Sequence, residues 1–301
     1  MDSQLAITIN DLSYNHNAPS ELPPEDDYDF PGVLHVTFNL PQGSRTLLIG
    51  GNGAGKSTLL YILAGKRMTQ HGEVKVFGRD VFREFGDNVV YLGTEWFVYT
   101  SVPGHEIRSQ KGHRVSHFLD SVGGYRYKER RDRLLNILDI DLDWHMHTIS
   151  DGERRRVQLC MGLMSNWDVL LMDEVTVDLD VLTRYALLKF LKQETEERNA
   201  TIIYATHIFD GLDDFPTHVA HMREGRFVMN PTPWPIEGHP YNSSSSKDTS
   251  LHQLAIAWIG EDRAVRQREE KEGKRKKVRG ARSQEVPTDS ETFYKKYDYS
   301  H

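Results

Sequence analysis

The sequence has one cysteine, Cys160, in 301 residues, which excludes a disulfide within the chain. It has no apolar run near the roughly 20 residues that a membrane-spanning helix needs, since runs such as residues 169–172 are far shorter. The N-terminal residues Met1-Asp2-Ser3-Gln4 lack the basic flank and apolar centre of a secretory signal. These absences predict a soluble protein of the cytoplasm, without direct membrane insertion.

An excess of positive charge is absent as well. The formal net charge is −7, with 38% of the residues apolar and 27% charged. This balance is typical of a globular protein with one sizeable core, and it argues against a general polyanion-binding protein. The length allows one or two domains.

The apolar residues follow two kinds of strand pattern. Residues 5–10 and 34–40 alternate apolar and polar positions, as half-buried strands do. Continuous apolar runs are typical of strands buried on both faces, and they occupy residues 46–49, 169–172 and 201–206. An amphipathic helix is predicted over residues 181–198. Because strands alternate with helices, the sequence predicts an α/β fold with a largely parallel sheet.

The residue composition and the hydrophobic pattern change twice along the chain. From about residue 102 to residue 165, helical spacing and many charges predict a helical subdomain. After residue 230, prolines and a serine run predict a linker, followed by an amphipathic helix over residues 251–270 and a disordered tail. The sequence thus predicts one folded domain over residues 1–230 and an appended segment over residues 231–301.

The appended segment carries a cluster of basic residues between positions 271 and 282. A solvated tail explains such a cluster, and so does a segment for nuclear import or nucleic-acid contact. The sequence leaves these alternatives open, so the protein could be located in the nucleus as well as in the cytoplasm.

One segment matches a phosphate-binding pattern. Residues 50–57 read G-G-N-G-A-G-K-S, which fits G-x-x-x-x-G-K-[ST] between a predicted strand and a predicted helix. Glycines let backbone N–H groups converge on phosphate oxygens, and the helix N-terminus adds a positive dipole end. Lys56 can then reach the β- and γ-phosphates, while the Ser57 hydroxyl can coordinate Mg²⁺.

The segment Ser150-Asp151-Gly152-Glu153 is an S-x-x-E capping box, which predicts the start of a helix. A capped helix N-terminus with small residues around it is also an anion site, so the structural and functional interpretations are compatible.

Charged side chains follow two of the buried runs. Asp173 and Glu174 come directly after residues 169–172, and His207 follows residues 201–206. A carboxylate at a strand end can hold Mg²⁺ opposite a phosphate loop, and a second one can deprotonate the attacking water. A polar strand end and a hydrogen-bonded histidine are the structural alternatives.

The order of these four sites resembles the ATP-binding cassette (ABC) ATPases, over about residues 5–230. The resemblance implies a P-loop NTPase with a RecA-like core, an antiparallel β subdomain and a helical signature subdomain. It also implies binding and hydrolysis of ATP with Mg²⁺, Glu174 as general base and His207 as a γ-phosphate contact. Ser57 and Asp173 are the implied metal ligands. The implied nucleotide contacts are Tyr14, Gly50, Asn52, Gly53, Ala54, Gly55, Lys56, Ser57, Thr58, Ser150, Gly152, Glu153 and Asp180.

By this resemblance, residues 50–58 are the Walker A loop and residues 149–153 are the signature motif. In the family, ATP lies between the Walker A loop of one cassette and the signature helix of another. The resemblance therefore implies that this single cassette forms an ATP-dependent homodimer, or a heterodimer with another cassette. Tyr14 is the implied adenine-stacking residue, with Tyr28 and Phe30 as nearby alternatives.

The sequence departs from the family pattern in three motifs: Gly51 of the phosphate loop stands where proline is usual, and the signature and the Q-loop also differ. The signature reads I-S-D-G-E where L-S-G-G-Q is usual, so Glu153 either weakens the contact with triphosphate across the dimer or caps its own helix. The usual Q-loop glutamine is missing, since Thr94 or Glu95 occupies its place. In transporters this loop couples the ATP site to the membrane domain.

The segments around Tyr91, Asp173 and Tyr204 are similar to a narrower group, the soluble single-cassette ABC ATPases associated in fungi with the Ccr–Not complex. Its plant relatives form the ABC I subfamily. This similarity implies a regulatory ATPase linked to transcription and mRNA regulation. The alternatives are the detached ATP-binding subunit of a multi-chain transporter and an ATP-dependent scaffold without efficient hydrolysis.

Overall fold

The computed structural model describes residues 4–16, 32–69, 71–83, 88–93, 114–236 and 250–274. The chain divides into two units, residues 1–262 and residues 263–301. Several sequence predictions lie outside the described residues: Tyr28, Phe30, Thr94, Glu95, residues 102–113 of the helical subdomain and the tail beyond residue 274.

The central element is a six-stranded sheet in the order β10-β9-β3-β8-β7-β6. Its strands from β9 to β6 run parallel, and β10 joins the edge antiparallel to β9. The continuous apolar runs form β3, β7 and β8, which are buried along their full length. The strands are β3 (Arg45–Ile49), β6 (Val89–Leu92), β7 (Val169–Asp173), β8 (Thr201–Ala205), β9 (His218–Arg223) and β10 (Arg226–Pro233).

A second, antiparallel sheet has the order β2-β1-β4-β5. The alternating segments near the N-terminus form its first two strands, and the burial of β2 alternates as the sequence predicts. The strands are β1 (Leu5–Asn15), β2 (Gly32–Pro41), β4 (His71–Val76) and β5 (Arg79–Asp80). This sheet confirms the predicted antiparallel β part of an α/β fold.

The described residues form six helices and a short 3₁₀ helix at Gly124–Tyr127. The helix predicted over residues 181–198 is present with those bounds. No helix of the described residues is long and apolar enough to cross a membrane. The helices are α1 (Lys56–Leu63), α2 (Val115–Ser121), α3 (Lys128–Ile137), α4 (Asp151–Leu163), α5 (Val181–Arg198) and α6 (Leu251–Lys271).

The parallel strands send alternate side chains to two hydrophobic clusters. Leu170 and Met172 of β7 pack in the cluster that contains residues of α2 to α5, whereas Leu171 packs in the cluster with α1 and the antiparallel sheet. Because both faces of the sheet are covered, β3, β7 and β8 need continuous apolar sequences. Their last residues therefore lie at one edge of the sheet, where polar side chains can meet.

Helix α6 occupies the segment for which the sequence predicts an amphipathic helix. Its first turns carry four buried residues that belong to the cluster containing α2 to α5: Leu251, Leu254, Ala255 and Trp258. Residues 231–236 and 250–262 thus share one unit with the sheet. A functional boundary near residue 230 stays a prediction.

Candidate functional site

Two glycines of the loop between β3 and α1, Gly50 and Gly55, lie where a side chain would clash or strain the backbone. A Cβ atom on Gly50 would lie 2.3 Å from the Met222 carbonyl oxygen of β9. Gly55 has φ +97° and is the N-cap of α1, where no side chain caps the helix. Left-handed backbone and close approach both favour glycine. The first-turn N–H groups of α1 are thereby left to a ligand, which is the property of an anion site.

Lys56 holds its ammonium group inside this loop. Its side chain is buried, and Nζ donates hydrogen bonds to the carbonyl oxygens of Gly50 (2.7 Å) and Gly51 (3.0 Å). Burial lowers the pKa of Lys56, while the charges of Glu174 and Asp173 act in the opposite direction. The lysine therefore brings positive charge next to two carboxylates at the sheet edge.

Asp173 is the last residue of β7 and is buried. Its carboxylate accepts hydrogen bonds from Ser57 and from the Tyr91 hydroxyl, the latter at 3.3 Å. Burial raises the pKa of Asp173, and the hydrogen bond from Ser57 acts in the opposite direction. The structure thus joins the two predicted metal ligands, Ser57 and Asp173, by one hydrogen bond.

Glu174 has a left-handed backbone, with φ +54°. Its N–H donates to the Ala205 carbonyl oxygen at 2.9 Å, so the end of β8 fixes this unusual conformation. The carboxylate contacts Nδ1 of His207, which follows β8. The two predicted catalytic side chains therefore meet at one point of the sheet edge, beside the lysine of the loop.

Tyr14 lies near the end of β1, in a network that reaches α1. Arg67 donates to the Tyr14 hydroxyl (3.2 Å) and to Nδ1 of His16 (2.6 Å), and Nε2 of His16 lies 2.9 Å from the Thr58 hydroxyl. Because a guanidinium only donates, His16 accepts at Nδ1 and carries its proton on Nε2. Burial and the charge of Arg67 lower the pKa of His16, which fits this neutral ring. The network ties the predicted adenine-stacking residue to the helix of the phosphate loop.

The Ser150 segment forms the predicted capping box at the start of α4. The Glu153 carboxylate accepts from the Ser150 N–H and hydroxyl, both at 2.7 Å, and the Glu153 N–H donates to the Ser150 hydroxyl at 3.3 Å. These hydrogen bonds lower the pKa of Glu153. Of the two interpretations of Glu153, the structure shows the capping one.

Asp180 also caps a helix. One carboxylate oxygen accepts from the N–H groups of Leu182 and Thr183, both at 3.0 Å, and the other accepts from the Thr183 hydroxyl at 2.6 Å. These hydrogen bonds lower the pKa of Asp180. A Cβ atom on Gly152, in α4, would lie 3.6 Å from the Asp178 carbonyl oxygen, so the starts of α4 and α5 are neighbours.

The residues around the loop fit a nucleoside triphosphate with Mg²⁺. An uncapped helix N-terminus and a buried lysine suit phosphate oxygens, whereas a hydroxyl and a carboxylate supply the oxygen ligands that Mg²⁺ prefers. Sequence reasoning missed three polar participants, Tyr91, His16 and Arg67. None of them belongs to the motifs that predict site residues, and only the packing of β6 and of the segments that follow β1 and α1 brings them to the site.

Comparison with known proteins gives consistent results. A family model described as "ABC transporter" matches residues 33–177. The chain is 39% identical over 302 residues to CCR4-associated factor 16 of Saccharomyces cerevisiae, covering 89% of this chain and 99% of that protein. It is 42% identical over 272 residues to ABC transporter I family member 20 of Arabidopsis thaliana, covering 89% of this chain and 80% of that protein.

Among solved structures, the fold is similar to a dimeric ATP-binding cassette in a post-hydrolysis state, bound to ADP and Pi. The TM-score is 0.60 at 16% sequence identity, and the match covers 75% of this chain and 98% of that chain. At this identity the likeness concerns the fold, and it confirms the fold class that the sequence predicts.

Proposed function

Because the chain belongs to the ATP-binding cassette (ABC) family, whose members bind ATP with Mg²⁺, we propose that it hydrolyses ATP on the Lys56 loop. The observation that carries this proposal is the meeting of Lys56, Asp173 and Glu174 at one edge of the sheet, with Ser57 bonded to Asp173. This grouping supplies a cation for the phosphates, two candidate metal ligands and a candidate general base within one site.

Each side chain has a distinct role in this proposal. Lys56 and the loop amides hold the β- and γ-phosphates, and Ser57 and Asp173 hold Mg²⁺, which offsets phosphate charge when it is bound. Glu174 orients a water molecule and accepts its proton. His207 contacts Glu174 and fixes the orientation of that carboxylate. In this proposal it also contacts the γ-phosphate.

Replacing Lys56 by alanine is expected to weaken ATP binding by about 10- to 150-fold, since hydrogen bonds to charged groups contribute about 1.5–3 kcal/mol. The measurement is the Kd of a fluorescent ATP analogue with Mg²⁺. Lys75→Ala is the matched control, because Lys75 pairs with Glu73 at the surface. Equal affinities of the Lys56→Ala variant and the wild type would remove the loop from the proposed site.

We also propose that two cassettes pair around ATP, with the start of α4 facing the phosphate loop of the other copy. Four apolar side chains beside that helix start support such a pairing: Val177, Val181, Leu182 and Tyr185, of which Leu182 is 80% exposed. Exposed apolar groups side by side are typical of surfaces that become covered. The neighbouring Gly152 and Asp178 place them next to the capped start of α4.

In the cell, we propose a regulatory role with a Ccr–Not-type complex rather than transport. The proposal rests on the yeast relative's name and on a match that covers 99% of its length. The name of the Arabidopsis relative favours the second candidate, a transporter subunit. Affinity capture of the Glu174→Gln variant with ATP separates them: deadenylase subunits support the first, and a polytopic membrane protein supports the second.

A further inference from the structure

The Tyr91 side chain leaves strand β6 and reaches the carboxylate of Asp173 on the neighbouring strand. Its hydroxyl donates to Oδ2 of Asp173 at 3.3 Å. Tyr91 is 7% exposed and Asp173 is 6% exposed, so water does not compete freely for this bond. Neither the phosphate-binding pattern nor the general-base assignment uses this tyrosine.

Two neighbouring side chains pack against the ring of Tyr91. It stacks on Tyr61 of α1, with centroids 4.8 Å apart and an angle of 30° between the rings. The Lys66 ammonium lies 4.5 Å from its centroid. A tyrosine hydroxyl carries its proton at neutral pH, so it can donate to the carboxylate.

Gly93 makes room for this arrangement. A Cβ atom at position 93 would lie 2.3 Å from the Tyr91 hydroxyl oxygen and 2.7 Å from its ring. The Gly93 carbonyl oxygen accepts a hydrogen bond from the buried Arg155 of α4 at 2.7 Å, which holds the backbone in place. A larger residue at this position would push the hydroxyl away from Asp173.

We propose that Tyr91 is a positioning residue for the metal site: its hydroxyl orients the Asp173 carboxylate so that it can bind Mg²⁺ together with Ser57. This inference rests on the proposed role of Asp173 as a metal ligand. Partners that orient metal ligands typically contribute 10- to 100-fold to metal affinity. A tyrosine that only fills space would contribute to stability and leave the metal dependence unchanged.

Replacing Tyr91 by phenylalanine is expected to raise the Mg²⁺ concentration for half-maximal binding of a fluorescent ATP analogue by about 10-fold. Binding without Mg²⁺ should stay as in the wild type, because the ring and the phosphate loop are intact. Gly93→Ala should shift the Mg²⁺ dependence in the same direction, since it displaces the hydroxyl without deleting it. The purified full chain is used throughout, and thermal unfolding reports the folded state of each variant.

Tyr204→Phe is the matched control. The Tyr204 hydroxyl is also buried, but it bonds with the Thr176 hydroxyl at 2.6 Å, so its loss should leave the Mg²⁺ dependence unchanged. Asp173→Asn separates two failures. If Asp173→Asn leaves the Mg²⁺ dependence of ATP binding intact, the proposed metal site is wrong. If Asp173→Asn abolishes that dependence while Tyr91→Phe and Gly93→Ala behave like the wild type, only the inference about Tyr91 is overturned.

Discussion

Replacing Glu174 by glutamine is expected to slow ATP hydrolysis by about 10²- to 10⁴-fold, the usual contribution of a general base. Glutamine has nearly the same shape, but its amide cannot take a proton from water. ATP affinity should remain, because the Lys56 loop is unchanged. Phosphate release in a single turnover measures the rate, and binding of a fluorescent ATP analogue measures the affinity.

Glu129→Gln supplies the control, since Glu129 lies exposed in the first turn of α3. A Glu174→Gln rate equal to that of the wild type would remove Glu174 from its role. If the wild type itself binds Mg-ATP and releases no phosphate, the protein is an ATP-dependent scaffold, the third function that the sequence allows.

The same slow variant tests the proposed pairing of cassettes. With Mg-ATP it should accumulate as a pair in analytical ultracentrifugation, because the bound nucleotide persists. Adding Leu182→Lys should shift it to a single cassette without loss of ATP affinity, since a lysine would be desolvated in the covered surface. Val228→Lys, at a 45% exposed apolar position on β10, is the control. A pair that resists Leu182→Lys would exclude this surface.

Local sequence signals predicted much of the fold and the site. The bounds of α5 match the predicted residues 181–198, and the Lys56 loop has the predicted strand before it and helix after it. Both predictions use spacing within a short segment, where backbone geometry dictates the pattern. The grouping of Asp173, Glu174 and His207 was also predictable, because parallel strands end at a common edge.

Contacts between distant segments were not predictable in the same way. The bond from Tyr91 to Asp173 depends on the register of β6 against β7 and on the missing side chain of Gly93. The role of Glu153 was undecided for another reason, since both interpretations use the same residues. Only the positions of its carboxylate oxygens distinguish a cap on its own helix from a group facing another molecule.

The docking of α6 was equally hidden, because an amphipathic pattern predicts a helix but does not identify what its apolar side covers. Trp258 lies flat on His221 of β9, with centroids 4.8 Å apart and an angle of 3° between the rings. Nε2 of His221 lies 3.0 Å from Oδ2 of Asp262. A histidine that is 1% exposed therefore has one face and one nitrogen occupied by α6.

Replacing Trp258 by alanine is expected to lower the free energy of unfolding by about 3–5 kcal/mol, the usual cost of removing a buried tryptophan side chain. Urea unfolding of the full chain measures this change. Ile256→Ala, two residues away and 60% exposed, should change stability by only about 0.5 kcal/mol. If Trp258→Ala also lowered the free energy of unfolding by only about 0.5 kcal/mol, α6 would contribute little to the stability of the fold.

Replacing Trp258 by alanine should also weaken ATP binding at the loop between β3 and α1. His221 pairs with Ile49, the last residue of β3, and the next residue, Met222, presents its carbonyl oxygen to Gly50. The Trp258→Ala variant, which removes the ring that covers His221, should therefore bind ATP more weakly than the wild type. The difference should grow with the fraction of molecules in which α6 has left the sheet, and it is measured at urea concentrations where the sheet remains folded. Unchanged ATP affinity in a Trp258→Ala variant with lowered stability would separate the stabilising contact from the loop. Helix α6 would then act only on the stability of the fold.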